Sequence, residues 1–332
     1  MQKAKVIILI ILLSIVGLGA ILGASSGTYY FYSHQNKEER AEVKVVEEKK
    51  NQEIYFEEEK YEPKGIVNYL VIGVDSTGTM ESNHGFSNKA LNDFICLVSF
   101  NLDEQTFFAL PINRDTMVEI NELGLTGKVV GHRYTQIDYA HSMGDGMEMS
   151  FRNTCDAVST LLFGVEIERF IGINMSTVPL INDFVGGVEI TLEEDLTILN
   201  PEWKEGATIT ITGDNCLKYL RARRYVGTGT QISRMNRQRV YLEALAKKII
   251  AADYQLSNIT DLLFTINSYV CMDVTYIDIA DVLGYIKAFK YEGIKSIEGS
   301  TQVRNNLTEF IPDEEKLKEL VKTLFYVKIE EE

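Results

Sequence analysis

Six arginines stand between Leu220 and Val240: Arg221, Arg223, Arg224, Arg234, Arg237 and Arg239. They run against the trend of a chain whose net charge is -15. Arginine offers five donors in a fixed fork and stays charged, which suits a diphosphate better than lysine does. Arg234, Arg237 and Gln238 are spaced i, i+3 and i+4, so they share one face of a helix. Arg221 and Arg223 approach from the preceding segment, across the loop Gly227-Thr-Gly-Thr230. A solvated helix face explains Arg224 and Arg239, but not the use of arginine in place of lysine throughout. The cluster is expected to hold phosphate.

Three further positions can carry chemistry. Asp75 ends the apolar run Tyr69-Leu-Val-Ile-Gly-Val-Asp75. A carboxylate at the C-terminal end of a buried strand faces the crevice where α/β proteins bind ligands; a turn-initiating Asp is the plainer reading. Asp93 precedes the run Phe94–Phe100. Two carboxylates on one crevice can hold Mg²⁺, which takes oxygen ligands and keeps waters and phosphate oxygens in its shell; an Asp opening a strand is also common. Arg114-Asp115 follows a third apolar run, either as a phosphate or carboxylate grip or as a structural ion pair.

Other chemistry has little support. The histidines are His34, His84, His132 and His141, with no HExxH motif and no Ser–His–Asp order. The cysteines, Cys96, Cys155, Cys216 and Cys271, are too far apart in sequence for a zinc knuckle or redox pair. Disulfides and buried free thiols both remain open. The acidic balance argues against general binding to nucleic acid.

The elements that must position these residues alternate. Strands are expected at Val67–Val74, Phe94–Phe100, Phe107–Ile112, Val188–Leu192, Thr208–Ile211 and Ile294–Val303. Helices are expected at Met149–Phe163, Thr177–Phe184, Cys216–Leu220 with Thr212 as N-cap, Met235–Ala252, Ile259–Tyr269, Ile277–Phe289 and Pro312–Phe325. This alternation describes an α/β layered domain. Val178–Val185, Ile259–Ile266 and Val282–Phe289 suit either an apolar channel or plain core packing.

Ahead of the domain, Val6–Ala24 is aliphatic and free of charge, long enough to cross a hydrocarbon layer of about 30 Å. Lys3 and Lys5 precede it, which keeps residues 1–5 in the cytoplasm and exports the body. Tyr29, Tyr30, Phe31 and Tyr32 suit an interfacial belt, so residues 6–28 are expected as a membrane anchor. A cleaved signal peptide ending at Ala24-Ser25-Ser26 is the alternative. Residues 29–64 read as a charged spacer, 65–311 as the folded domain and 312–332 as a charged terminal helix and tail.

Taken together, the motifs resemble the LytR-CpsA-Psr family. They are Leu70-Val-Ile-Gly-Val-Asp75, Asn92-Asp93, Ile112-Asn-Arg-Asp-Thr116, Ile137-Asp-Tyr-Ala140, Phe184-Val-Gly-Gly-Val188, Leu217-Lys-Tyr-Leu-Arg-Ala-Arg223 and Ser233-Arg-Met-Asn-Arg-Gln238. Each is weak alone; seven in order are not. The resemblance implies a layered αβα fold with a mixed central sheet. It implies a membrane-anchored phosphotransferase in a Gram-positive-type envelope, with pyrophosphatase side activity. Such a protein moves an anionic glycopolymer, teichoic-acid-like or capsular, from an undecaprenyl-pyrophosphate carrier to peptidoglycan. Asp75 and Asp93 would serve Mg²⁺, or Mn²⁺ in its place; Arg114, Arg221, Arg223, Arg234, Arg237 and Gln238 would line the pyrophosphate. The sequence departs where the family usually has Gly-Arg-Ser-Asp and this chain has Ala90-Leu-Asn-Asp93, where Asn113 replaces Pro, and where Gln231 replaces Asp. Loss of that arginine, which Lys89 would have to replace, leaves a second expectation open: a catalytically weakened module that binds polyprenyl phosphate or wall polymer.

Overall fold

The structure, a computed structural model, describes residues 54–56, 59–81, 90–222, 237, 240–241, 244–245, 248, 262, 265–304 and 307–329. The strands are β1 (Ile54–Phe56), β2 (Glu59–Pro63), β3 (Ile66–Val74), β4 (Asn92–Asn101), β5 (Thr106–Ile112), β6 (Met117–Leu123), β7 (Val129–Gln136), β8 (Arg169–Asn174), β9 (Val188–Thr191), β10 (Thr208–Ile211), β11 (Val270–Met272), β12 (Lys290–Ile294), β13 (Gly299–Arg304), β14 (Leu307–Pro312) and β15 (Tyr326–Lys328). The fully bounded helices are α1 (Glu148–Leu161), α2 (Thr177–Phe184), α3 (Asn215–Arg221), α4 (Tyr276–Ala288) and α5 (Glu314–Phe325), with a 3₁₀ helix at Ile137–Met143. Residues 237, 240, 241, 244, 245 and 248 are also helical, on the recurring spacing of one face.

A mixed sheet ordered β11-β8-β3-β4-β5-β12 forms the centre. β3 runs parallel to β8 and antiparallel to β4. Alternate residues of β3, β4 and β5 face opposite sides. Leu70, Ile72, Ile95, Leu97, Phe108 and Leu110 pack with Phe151 and Val158 of α1 and with Leu317, Val321 and Leu324 of α5. Tyr69, Val71, Cys96, Val98, Phe100 and Phe107 pack on the other side with Val282 of α4. Helices on both faces explain why β3 is a nearly unbroken apolar run. A further cluster joins Ile181 and Val185, Val188 and Ile190, Cys216 and Tyr219, and Tyr241 and Leu245. It sits beside the sheet and carries the arginine-bearing segment.

The α/β layering with a mixed central sheet agrees with the expectation, and β3, β4, β5, α1, α2, β9, β10, α3, α4 and α5 fall within two residues of the expected bounds. Several readings change. Ile294–Val303 is not one strand: β12 closes the central sheet at Ile294, and β13 starts at Gly299 in a separate hairpin with β14. Gly293 at φ +93° breaks the register there. Asp214, not Thr212, precedes α3, with no side-chain cap. The spacer read to residue 64 ends in β1 and β2, and β15 pairs with β2. The terminal helix likewise belongs to the core rather than to a tail: Leu317, Val321, Leu324 and Phe325 are buried in it. The four cysteines are free thiols. Burial pushes Cys96, Cys216 and Cys271 up to about 12 and Cys155 further, which disfavours the reactive thiolate. Among the described residues no helix is long and apolar enough to cross a membrane; the expected anchor, residues 6–28, lies outside them.

Candidate phosphate-binding site

The site begins where β3 leaves the sheet. Val74 pairs with Asn92 across the β3–β4 ladder, and the Asp75 N–H donates to Leu91 O at 3.0 Å. Asp75 and Asp93 therefore stand at the same end of one strand pair, where β3 also runs beside the C-terminal end of β8. The loop after Asp75 is tied to the loop after β8. The Met175 N–H donates to Ser76 O at 3.0 Å, the Gly78 N–H to Ser176 Oγ at 2.9 Å, and Asn174 Nδ2 to Gly78 O at 2.7 Å. The carboxyl ends of parallel neighbours make the crevice in which such sheets bind ligands.

Two ion pairs occupy that crevice. Arg221, the last residue of α3, donates Nη2 to Asp75 Oδ1 at 3.2 Å; both side chains are about half exposed. Arg114, in the turn after β5, donates Nη1 to Asp93 Oδ1 and sits 3.5 Å from Asp115 through Nε. Asn113 shapes this turn. Its Oδ1 accepts from the Asp115 N–H at 3.0 Å, and its carbonyl accepts from the Thr116 hydroxyl at 2.6 Å. An Asx turn thus does by hydrogen bonding what a proline would do by fixing φ. Burial works against the charge on Arg114, but Asp93, Asp138 and Asp115 together outweigh it and hold the guanidinium above its ordinary value.

Arg237 lies deeper than Arg221. It is buried, with 4% of its surface exposed. Its Nε donates to Tyr219 O at 3.1 Å, its Nη2 to Ala222 O, and its Nη1 pairs with Glu194. Those carbonyls end α3, so Arg237 holds the helix terminus that presents Arg221. Arg223, Arg234 and Gln238, with Lys89, lie outside the described residues. The segments expected as channel or core divide: Ile181, Val185, Leu262 and Ile266 share the lateral cluster, while Val282 packs on the far face of the sheet.

Asp138 had no role in the sequence reading beyond its place in a motif. It is 2% exposed, its N–H donates to Arg114 O at 3.2 Å, and burial raises its carboxyl to about 7 against the pull of Arg114. The available signal was a lone carboxylate between Ile137 and Ala140, both of which are fully buried.

A divalent cation can be tested against this donor set. Among the described residues no three His, Cys, Asp or Glu side chains converge to hold a metal unaided. Mg²⁺ is commonly bound through one or two carboxylates, with waters and substrate phosphates completing its octahedron. Asp75 and Asp93, each with Oδ1 engaged by an arginine and Oδ2 to offer, fit that second kind of site.

A family model for the LytR_cpsA_psr family matches residues 28–325, and the chain belongs to that family. It is 28% identical over 241 residues to the polyisoprenyl-teichoic acid–peptidoglycan teichoic acid transferase TagU of Bacillus cereus, covering 73% of this chain and 71% of that one. It is 23% identical over 324 residues to the transferase TagT of Bacillus subtilis, covering 93% and 92%. The crystal structure of Bacillus subtilis TagT superposes with a TM-score of 0.54 at 20% identity, covering 83% of this chain and 94% of that one. TagT bound to LIIa-WTA superposes at 0.55 and 21% identity, covering 78% and 89%. At these identities the structural likeness speaks for the fold.

Proposed function

We propose that this protein transfers an anionic glycopolymer, teichoic-acid-like or capsular, from an undecaprenyl-pyrophosphate carrier to peptidoglycan. The observation that carries the reading is the pair of arginine–carboxylate contacts, Arg221–Asp75 and Arg114–Asp93, at one end of the β3–β4 strand pair. Membership of a family whose curated relatives include teichoic acid transferases supports it. Arg114 and Arg221 grip the diphosphate oxygens, with Arg223 and Arg234 assigned to the same head group. Asp75 and Asp93 hold Mg²⁺ or Mn²⁺, which supplies neutralisation of the diphosphate charge.

The acceptor hydroxyl on a wall sugar attacks the polymer-side phosphorus, forming a new P–O bond. The P–O bond to the lipid-side phosphate breaks, and its electron pair leaves with undecaprenyl phosphate. The hydroxyl proton passes to Asp75 or Asp93. Positioning and charge neutralisation supply most of the rate in such transfers. With water in place of the sugar, the same step is a pyrophosphatase reaction. Residues 6–28 anchor the chain in the cell membrane with the domain outside, where the carrier's head group lies.

Full-length protein in detergent should release phosphate from geranylgeranyl diphosphate when Mg²⁺ is present, and Arg221→Ala should lower that rate about 100-fold. Binding without Mg²⁺-dependent release would favour the second reading, a polyprenyl-phosphate or wall-polymer binding module. Leu91, uncharged beside Asp93 where the family usually has arginine, is the observation on its side.

A further inference from the structure

The described part of the site carries two arginines, Arg114 and Arg221, and four carboxyl groups, Asp75, Asp93, Asp115 and Asp138. With all of them ionised their sum is negative, and the divalent cation proposed for Asp75 and Asp93 does no more than cancel it, yet the proposed ligand is an anion. We infer that Asp138 is a proton-holding positioning residue: it takes up a proton when a diphosphate engages Arg114, so that the anion meets a cluster with one negative charge fewer. This rests on the proposed diphosphate site and goes beyond it by coupling occupancy to a proton.

The geometry leads to Asp138 rather than to another carboxylate. Asp75, Asp93 and Asp115 each touch a guanidinium directly. Asp138 faces Arg114 without an ion pair of its own, and its Oδ1 is buried with no hydrogen-bond partner among the described residues. Its backbone N–H donates to Arg114 O at 3.2 Å, which keeps the two residues adjacent.

The surroundings are short of donors. Asn92 Oδ1 and Asn153 Oδ1 are also buried without a hydrogen-bond partner among the described residues, while their amide groups donate to Thr154 Oγ1 at 3.0 Å and to Ala140 O at 2.8 Å. A carboxyl group that keeps its proton brings a donor into such a place and avoids an unpaired buried charge.

The charged groups acting on Asp138 are Arg114 and Asp115 from the turn after β5 and Asp93 from the start of β4. Helix α1, packed against the 3₁₀ helix, commits Arg152 to Asp273 and Asp156 to Asn121. On β7, Gln136 reaches Asp115 and Thr308 O. His141, on the same 3₁₀ helix, is kept neutral by burial. An anion on Arg114 weakens the larger of the two interactions that favour the ionised carboxylate, the other being the Tyr139 backbone N–H, and so raises proton affinity further; the half-titrated range about 7 makes that shift effective near neutral pH.

The test is the affinity of full-length protein in detergent for geranylgeranyl diphosphate, at fixed Mg²⁺, from about pH 6 to about pH 8.5. Wild-type affinity should weaken by up to about tenfold per pH unit above pH 7, beyond any weakening in Asp138→Asn. The ligand's own titration is common to both proteins and cancels in the comparison. Infrared difference spectra of the wild type, labelled with ¹³C-aspartate, should gain a protonated-carboxyl band on binding. This readout stands even if the variant folds poorly. Equal pH slopes in the two proteins, or no gain of that band, would overturn the inference. Failure of the wild type to bind at any pH would instead overturn the diphosphate site.

Discussion

Arg221 and Arg237 come from one arginine-rich stretch but do different work. Arg221 is half exposed on Asp75, in a contact that contributes little to stability. Arg221→Ala should shift stability by no more than about 0.5 kcal/mol, while phosphate release collapses. Arg237 is buried on two carbonyls and Glu194. Arg237→Ala should cost about 3 kcal/mol, because it leaves a carboxylate and a helix end unsatisfied; denaturant titration checks both. Sequence spacing placed Arg234, Arg237 and Gln238 on one helix face but could not say whether that face looked at ligand or at the end of α3. The placement of Asp75, Asp93 and Arg114 was legible because each abuts a strand end, and strand ends are readable from apolar runs. Asp138 was not, since its effect depends on a backbone bond to Arg114 and on burial, neither of which leaves a mark in residue spacing.

Apolar runs with helices on both faces made β3, β4 and β5 readable to within two residues. The hairpin β6–β7 went unread because its second strand is largely exposed, with Val130 and Tyr134 facing solvent, so it carries no clean alternation. β8 is only six residues and holds Gly172 beside the Phe151 ring, with no room for a side chain. The motif Phe184-Val-Gly-Gly-Val188 now has a physical reason. Gly186 and Gly187 lie at φ +73° and +78°, and a Cβ on Gly187 would stand 2.8 Å from Ile211 O. Their carbonyls also accept from Lys248 Nζ. Gly187→Ala should therefore destabilise by about 1–3 kcal/mol, read as a lower melting temperature. The 3₁₀ helix gives a pH prediction. Burial pushes the His141 imidazole down to about 4, against Asp145. The folded chain refuses a proton that the unfolded chain accepts, so stability is full above about pH 6.5 and falls as pH drops towards 4. His141→Gln should lose that part of the acid sensitivity in a melting series.

The folded body reaches further at both ends than charge density suggests. Lys and Glu dominate the surface of α5, yet Leu317, Val321 and Leu324 recur at helical spacing and fill the core beneath β3 and β5. Leu324→Ala should cost about 2–5 kcal/mol, and a chain ended after Pro312 should fail to give a cooperative melting transition. An apolar stripe inside a charged helix is easily read as a tail, because composition averages over faces that packing separates. Joining β15 to β2 ties that end back to the start of the domain, just after the segment that would leave the membrane. Such tethering would raise the effective concentration of a lipid head group for the site proposed at Arg114 and Arg221. The most direct measurement gives detergent-solubilised full-length protein a radiolabelled, polyprenyl-diphosphate-linked glycopolymer and peptidoglycan oligomers with Mg²⁺, and follows label into the peptidoglycan. Wild-type protein should move the label, and Arg114→Ala and Arg221→Ala should each slow it at least about 100-fold. Transfer at the wild-type rate by both variants, or no transfer by the wild type, would contradict the account.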